Sequence, residues 1–110
     1  MIDWGRVKEL REEIGPADFD EVVEIFFEEI EDVVARLPDL QEAEPLTHAL
    51  HFLRSSALNL GFKSFATQSA EGEAQAESGA HASIDLTAII DCYAASKSEF
   101  LRGIEQIKAA

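Results

Sequence analysis

The stretch PLTHALHFLRSSALNLG, residues 45–61, has the spacing of a single amphipathic helix. Apolar residues recur along it every three or four positions, as on one face of an α-helix: Leu46, Leu50, Leu53, Ala57 and Leu60. Pro45 suits the first helical position, because its φ angle fits a helix and its missing N–H needs no partner there. Gly61 suits the position just after a helix, where the chain often turns left-handed. We therefore predict a helix from about Pro45 to Leu60.

Helical spacing of apolar residues continues on both sides of this stretch. Further helices are predicted at residues 2–14, 19–37, 63–77 and 85–109. Asp3 is the expected N-cap of the first helix, and Ser83 or Asp85 of the last. Gly72 interrupts the fourth helix at a cost of about 1 kcal/mol relative to alanine. Residues 79–83 are expected to form a loop.

The fold class follows from these elements. No segment alternates apolar and polar residues with the period of two that strands show. A chain of 110 residues with 46% hydrophobic residues can bury a core without disulfides or metals. Short connections place successive helices antiparallel. We predict an all-α fold, an antiparallel four-helix bundle with a short additional N-terminal helix, as a single domain spanning residues 1–110.

The charge of the chain excludes some classes of function. The formal net charge of −13 repels nucleic acid and anionic lipid, so neither is an expected partner. The acidity is most simply explained by solubility, although a partner with a basic surface stays open. No apolar run approaches the roughly 20 residues that span a bilayer, and the N-terminus MIDWGRVKEL does not resemble a signal peptide. With Cys92 as the single cysteine, a reducing cytoplasmic location is expected.

His51 is the candidate reactive residue of the third helix. On a helical wheel of about 100° per residue it lies roughly 140° from the centre of the apolar stripe, which predicts exposure. Its neighbours one turn away are Thr47, His48, Arg54 and Ser55. Histidine is a nucleophile near neutral pH, and a phosphoryl group on it would add up to about two negative charges for an arginine to offset. This spacing alone also occurs by chance, so a solvated histidine without a function stays open.

The run HFLRSSALNLG, residues 51–61, resembles the signature of histidine phosphotransfer (HPt) domains. His51 matches the phosphorylated histidine of that signature, and Arg54 matches its basic residue. Other matching positions are Leu53, Ser56, Leu60 and Gly61, followed in the next helix by Phe65, Ala66, Ser69 and Glu73. Two departures stand beside His51. Ser55 replaces the usual glycine, and Arg54 replaces the usual lysine. Both replacements are expected to alter the rate of phosphotransfer or the preference for a partner.

The resemblance implies a phosphotransfer protein that relays a phosphoryl group between His51 and the aspartate of receiver domains. Arg54 would stabilise the phosphoryl group, and Ser55 would leave room for it. The implied partners are a response-regulator receiver domain and a hybrid histidine kinase, with docking through Phe52, Leu58, Thr47 and His48. The chain would not be an enzyme itself and would need no cofactor, since Mg²⁺ is expected on the receiver only. A monomer would suffice.

Three other interpretations are compatible with parts of the sequence. A helical adaptor would bind a receiver or kinase without being phosphorylated, but it has no need of His51 and Arg54. A dimerising histidine kinase fragment would need an adjoining ATP-binding domain. A metal site of Glu44, His48 and His51 lacks a fourth ligand, so no metal is expected.

Overall fold

A computed structural model describes residues 2–109, and in this range the chain folds into five α-helices. The helices are α1 (Trp4–Ile14), α2 (Phe19–Arg36), α3 (Ala43–Leu60), α4 (Lys63–Glu77) and α5 (Leu86–Ala109). Short 3₁₀ turns lie at Leu37–Asp39 and His81–Ser83, and the β pairing within residues 2–109 is an isolated bridge between Ile2 and Phe62. The all-α prediction is confirmed. Its finer form, the antiparallel four-helix bundle, stays a prediction, as does the single domain.

The start of α3 and the connection before α5 differ from the prediction. Helix α3 begins at Ala43, so placing Pro45 at the first helical position was wrong. The first four N–H groups of a helix have no partner within it, so proline is tolerated at the third position too. The N–H of Leu46, the residue after Pro45, donates to the carbonyl oxygen of Glu42 at 3.3 Å. The expected 79–83 loop contains the second 3₁₀ turn.

The predicted caps are present. The Asp3 carboxylate accepts from Arg6 N at 3.2 Å, and α1 therefore begins at Trp4 rather than at Ile2. Asp85 accepts from Ala88 N at 3.0 Å at the start of α5. Each bond satisfies an N–H that the first helical turn leaves unpaired.

Close packing of α3 against α4 positions the site. The whole apolar stripe predicted for α3 is buried. Opposite Leu50, a Cβ at Gly72 would lie 3.1 Å from Leu50 Cδ1 and 3.2 Å from Ile89 Cδ1. Gly72 does not interrupt α4. Because it has no side chain, Leu50 of α3 and Ile89 of α5 can pack closely against it.

Helix α1 lies against the end of α3 and against α5. Trp4 stacks on Phe100, with ring centroids 6.0 Å apart and an interplanar angle of 12°. Asp3 N donates to Gly61 O at 2.7 Å, and Arg6 Nε donates to Asn59 O at 3.1 Å. These bonds satisfy carbonyl groups that the end of α3 leaves free.

Gly61 supplies the turn that makes this contact possible. Its φ is +80°, and a Cβ there would lie 2.7 Å from the backbone oxygen of Asp3. We expect Gly61→Ala to lower the free energy of unfolding by about 2 kcal/mol or more, from left-handed strain plus the clash. Urea unfolding followed by circular dichroism measures this value. The matched control is Gly79→Ala, which has a similar φ of +87° but nothing within 4 Å of its Cβ, so it should cost less.

Polar side chains join α2 to α5. Glu31 accepts from Tyr93 Oη at 2.8 Å and from Lys97 Nζ at 2.5 Å. The hydrogen bond from Lys97 lowers the pKa of Glu31 below its usual range. Burial, together with the bond to Glu31, raises the pKa of Tyr93 far above its usual range. Glu31 of α2 therefore accepts hydrogen bonds from two side chains of α5, Tyr93 and Lys97.

No helix within residues 2–109 is long and apolar enough to cross a membrane.

Candidate functional site

His51 lies in the middle of α3 with its side chain 56% exposed. Its neighbour Leu50, and Leu53 two residues on, are fully buried and anchor this part of the helix in the core. The exposure predicted from the helical wheel is confirmed. A partner protein can therefore reach the imidazole while α3 stays in place.

Three side chains meet at this position. His51 Nδ1 lies 2.9 Å from Glu73 Oε2, across the contact between α3 and α4. Arg54 Nη2 lies 3.0 Å from the same ring nitrogen, and Arg54 Nε lies 3.1 Å from Glu73 Oε1. Glu73 is only 8% exposed, whereas the other two side chains reach solvent. The site is thus a histidine and an arginine held against a buried carboxylate.

The ion pair between Arg54 and Glu73 is close but poorly aligned. Arg54 Nε is buried and makes no hydrogen bond of acceptable angle, although Glu73 Oε1 is 3.1 Å away. The pair therefore acts through charge more than through a directed bond. Arg54, which the sequence predicts as the cation near the phosphoryl group, is paired with the Glu73 carboxylate.

The other predicted residues lie on both sides of His51. Ser55 is exposed, and Leu58 is 59% exposed, which is high for a leucine. Phe52 is half-buried and His48 is exposed on the side that faces α2. Thr47 is half-buried, and its hydroxyl donates to Ala43 O at 2.7 Å. Thr47 is thus bonded within its own helix.

Phe52 and His48 line a groove of about 480 Å³ between α2 and the first half of α3. Apolar side chains supply much of its surface, and polar side chains lie beside them: Val33, Leu40, Pro45, Ala49 and Phe52, then Glu29, Asp32, Arg36 and His48. The groove therefore begins one residue from His51 and extends away from it along α2.

Within residues 2–109, no group of three or more His, Cys, Asp or Glu side chains is arranged to hold a metal ion. His51 Nδ1 faces Glu73 of α4, and His48 lines the groove on the α2 side. The two histidines thus have different neighbours.

A family model described as Hpt domain matches residues 21–110, which includes His51, Arg54 and Glu73. The chain belongs to the Hpt domain family. No curated protein and no solved structure matches the chain. The match covers α2 to α5, so α1 lies before the matched region of this Hpt domain.

Two contacts of this Hpt domain bear on which nitrogen of His51 carries the proton in the neutral ring, those of Nδ1 with Glu73 Oε2 and with Arg54 Nη2. A carboxylate only accepts hydrogen bonds and an arginine only donates them. If Nδ1 accepted from Arg54, its lone pair would face that of Glu73 Oε2 at 2.9 Å. The geometry thus favours a proton on Nδ1, donating to Glu73, with Arg54 attracted to the carboxylate of Glu73 rather than to the ring nitrogen. Nε2 then keeps a free lone pair.

Glu73 is the site residue that sequence reasoning did not assign. It matched a family position, but it is 22 residues from His51 and on another helix. One signal was present: Glu73 follows Ala66 and Ser69 at spacings of seven and four residues, so all three share a face of α4. A carboxylate on the buried face of a helix needs a partner, which would have directed attention to Arg54.

Proposed function

We propose that this Hpt domain carries a phosphoryl group on Nε2 of His51 and exchanges it with the aspartate of a receiver domain. The observation that supports this most is the bond from His51 Nδ1 to the buried carboxylate of Glu73. That bond orients an exposed imidazole and leaves its other nitrogen free to attack phosphorus. Orientation of a histidine by a carboxylate is a common way to prepare such a group.

In the proposed step, the Nε2 lone pair forms a bond to phosphorus while the bond from phosphorus to the receiver aspartate breaks. The Nδ1 proton stays with the ring and its bond to Glu73 strengthens, since the ring gains positive charge. Arg54, already beside the ring, offsets charge on the phosphoryl oxygens. The receiver would supply Mg²⁺, the acyl phosphate and a lysine, so the chain acts as a carrier rather than as an enzyme.

Docking is proposed at the surface around His51, through Phe52, His48 and Leu58. Thr47 contributes less, because its hydroxyl already bonds to Ala43 O. The partners are a response-regulator receiver and a hybrid histidine kinase, the protein is a cytoplasmic monomer, and α2 to α5 form the antiparallel four-helix bundle. No cofactor of its own is required.

The adaptor remains the alternative function, since a bundle can bind a receiver without taking its phosphate. The triangle of His51, Arg54 and Glu73 favours the carrier. An adaptor gains little from a histidine oriented by a buried carboxylate, because such a carboxylate is costly to desolvate.

The experiment that tests the proposal is transfer from a phosphorylated receiver. We expect the protein, mixed with receiver phosphate and Mg²⁺, to gain phosphate that is labile in acid and stable in base. Binding without any such label would support the adaptor instead and contradict the carrier.

Ser55 is predicted to slow this transfer. It lies one turn from His51, where the family's usual glycine leaves more space. We expect Ser55→Gly to raise the single-turnover transfer rate about two- to five-fold, while lowering the free energy of unfolding by about 0.5 kcal/mol through weaker helix propensity. Rapid-quench kinetics measures the rate. An unchanged or lower rate in a folded variant would show that Ser55 does not restrict access.

A further inference from the structure

We propose that the groove between α2 and α3 is a specificity surface that selects receivers with a positively charged docking face, with Glu29 as its main determinant. The inference rests on the proposed function, because it assigns an occupant to a surface beside the phosphorylated histidine. It concerns which receiver is chosen rather than how phosphate is moved.

The charge beside the groove is unbalanced. Arg36 is the basic residue in its lining, and its guanidinium already pairs with Asp32 at 3.3 Å. Within residues 2–109 no basic side chain pairs with Glu29. Glu29 is therefore an exposed carboxylate beside an apolar surface, and a cation on the partner would complement it.

An apolar surface lies next to that charge. Ala49 and Phe52, both half-buried, present aliphatic and aromatic area in the groove, above the buried Val33. Ile25, one turn before Glu29 on α2, is 48% exposed and extends the apolar area along that helix. Grooves between two helices typically accept an amphipathic helix with anchors spaced by three or four residues. The expected occupant is a receiver segment with aliphatic anchors and a lysine or arginine opposite Glu29.

The charge of the whole molecule also favours a basic docking face on the receiver. A chain with net charge −13 repels the acidic residues that hold Mg²⁺ in a receiver active site. Long-range repulsion of this kind slows encounter unless complementary charge lies elsewhere on the docking face. The groove meets that need because it begins at Phe52, next to His51. A receiver that is basic at this surface can then orient before its active site reaches the histidine.

Charge reversal tests the inference. The probe is the receiver domain from the source cell that labels wild type fastest. The double variant Glu29→Lys/Asp32→Lys is compared with Glu77→Lys/Asp91→Lys, which makes the same charge change on exposed residues of α4 and α5, outside the groove. At low salt we expect the groove variant to lose about 10-fold or more in kcat/KM, through KM, while the control changes less than about two-fold. The rate at saturating receiver should stay unchanged, because His51 is intact.

Two further measurements make the result decisive. Raising the salt concentration should reduce the difference between wild type and the groove variant, since screening weakens the charge interaction. A lysine-to-glutamate change on the receiver docking face should restore transfer to the groove variant. Equal losses in the groove variant and the control, or no loss in either, would overturn the inference while leaving the carrier function standing. Absence of any labelling of wild type would instead overturn the proposed function and this inference with it.

Discussion

His51→Ala should abolish acid-labile labelling by a phosphorylated receiver, a loss of at least about 1,000-fold. The imidazole is the proposed nucleophile, and alanine has no group that can attack phosphorus. The variant should keep its fold, because His51 is more than half exposed and the buried Leu50 and Leu53 hold α3. Receiver-dependent transfer of labelled phosphate, with acid and base treatment of the product, measures the effect.

His48→Ala is the matched control for this experiment. It removes an exposed histidine three residues away on the same helix, in the groove that Phe52 also lines. We expect transfer to persist, with a change in KM of less than about ten-fold if His48 contributes to docking. Labelling that survives in His51→Ala, or that disappears in His48→Ala, would reassign the carrier to another residue.

Replacement of Glu73 should have the next largest effect on the phosphotransfer rate. The size of the decrease should depend on which residue replaces Glu73. Glu73→Ala removes the acceptor of the Nδ1 proton and leaves Arg54 without its carboxylate. We expect the transfer rate to fall by about 100-fold, as when an orienting partner of a working histidine is lost. Glu73→Gln keeps an oxygen that can accept from Nδ1, so its rate should fall by less than about ten-fold.

The difference between these two variants separates orientation from simple support of the fold. Glu71→Ala is the control, because Glu71 is exposed on the same helix only two residues away. Thermal unfolding by circular dichroism shows whether each variant stays folded at the assay temperature. If folded Glu73→Ala transferred phosphate at the wild-type rate, Glu73 would have no part in preparing His51.

Much of the fold was predictable because helical spacing is a local property. The apolar stripe of α3, the Asp3 cap and the Gly61 end were all expected from residues close to one another along the chain, and all are present. The misplaced start of α3 also has a local cause. Proline satisfies the requirements of several positions in a first turn, so Pro45 indicated a helix start without specifying which residue begins it.

His51, its exposure and its nearness to Arg54 follow from the sequence alone, because the rise and twist of one helix place residues three and four apart side by side. The tertiary structure decided what surrounds them. It brought Glu73 of α4 to the ring nitrogen and paired Arg54 with that carboxylate. Among residues 2–109 it placed no basic side chain against Glu29, at the edge of a groove. These contacts depend on how closely two helices approach and on their rotation, which small residues such as Gly72 permit. The spacing of residues along a single helix contains no information about the distance between two helices or their relative rotation.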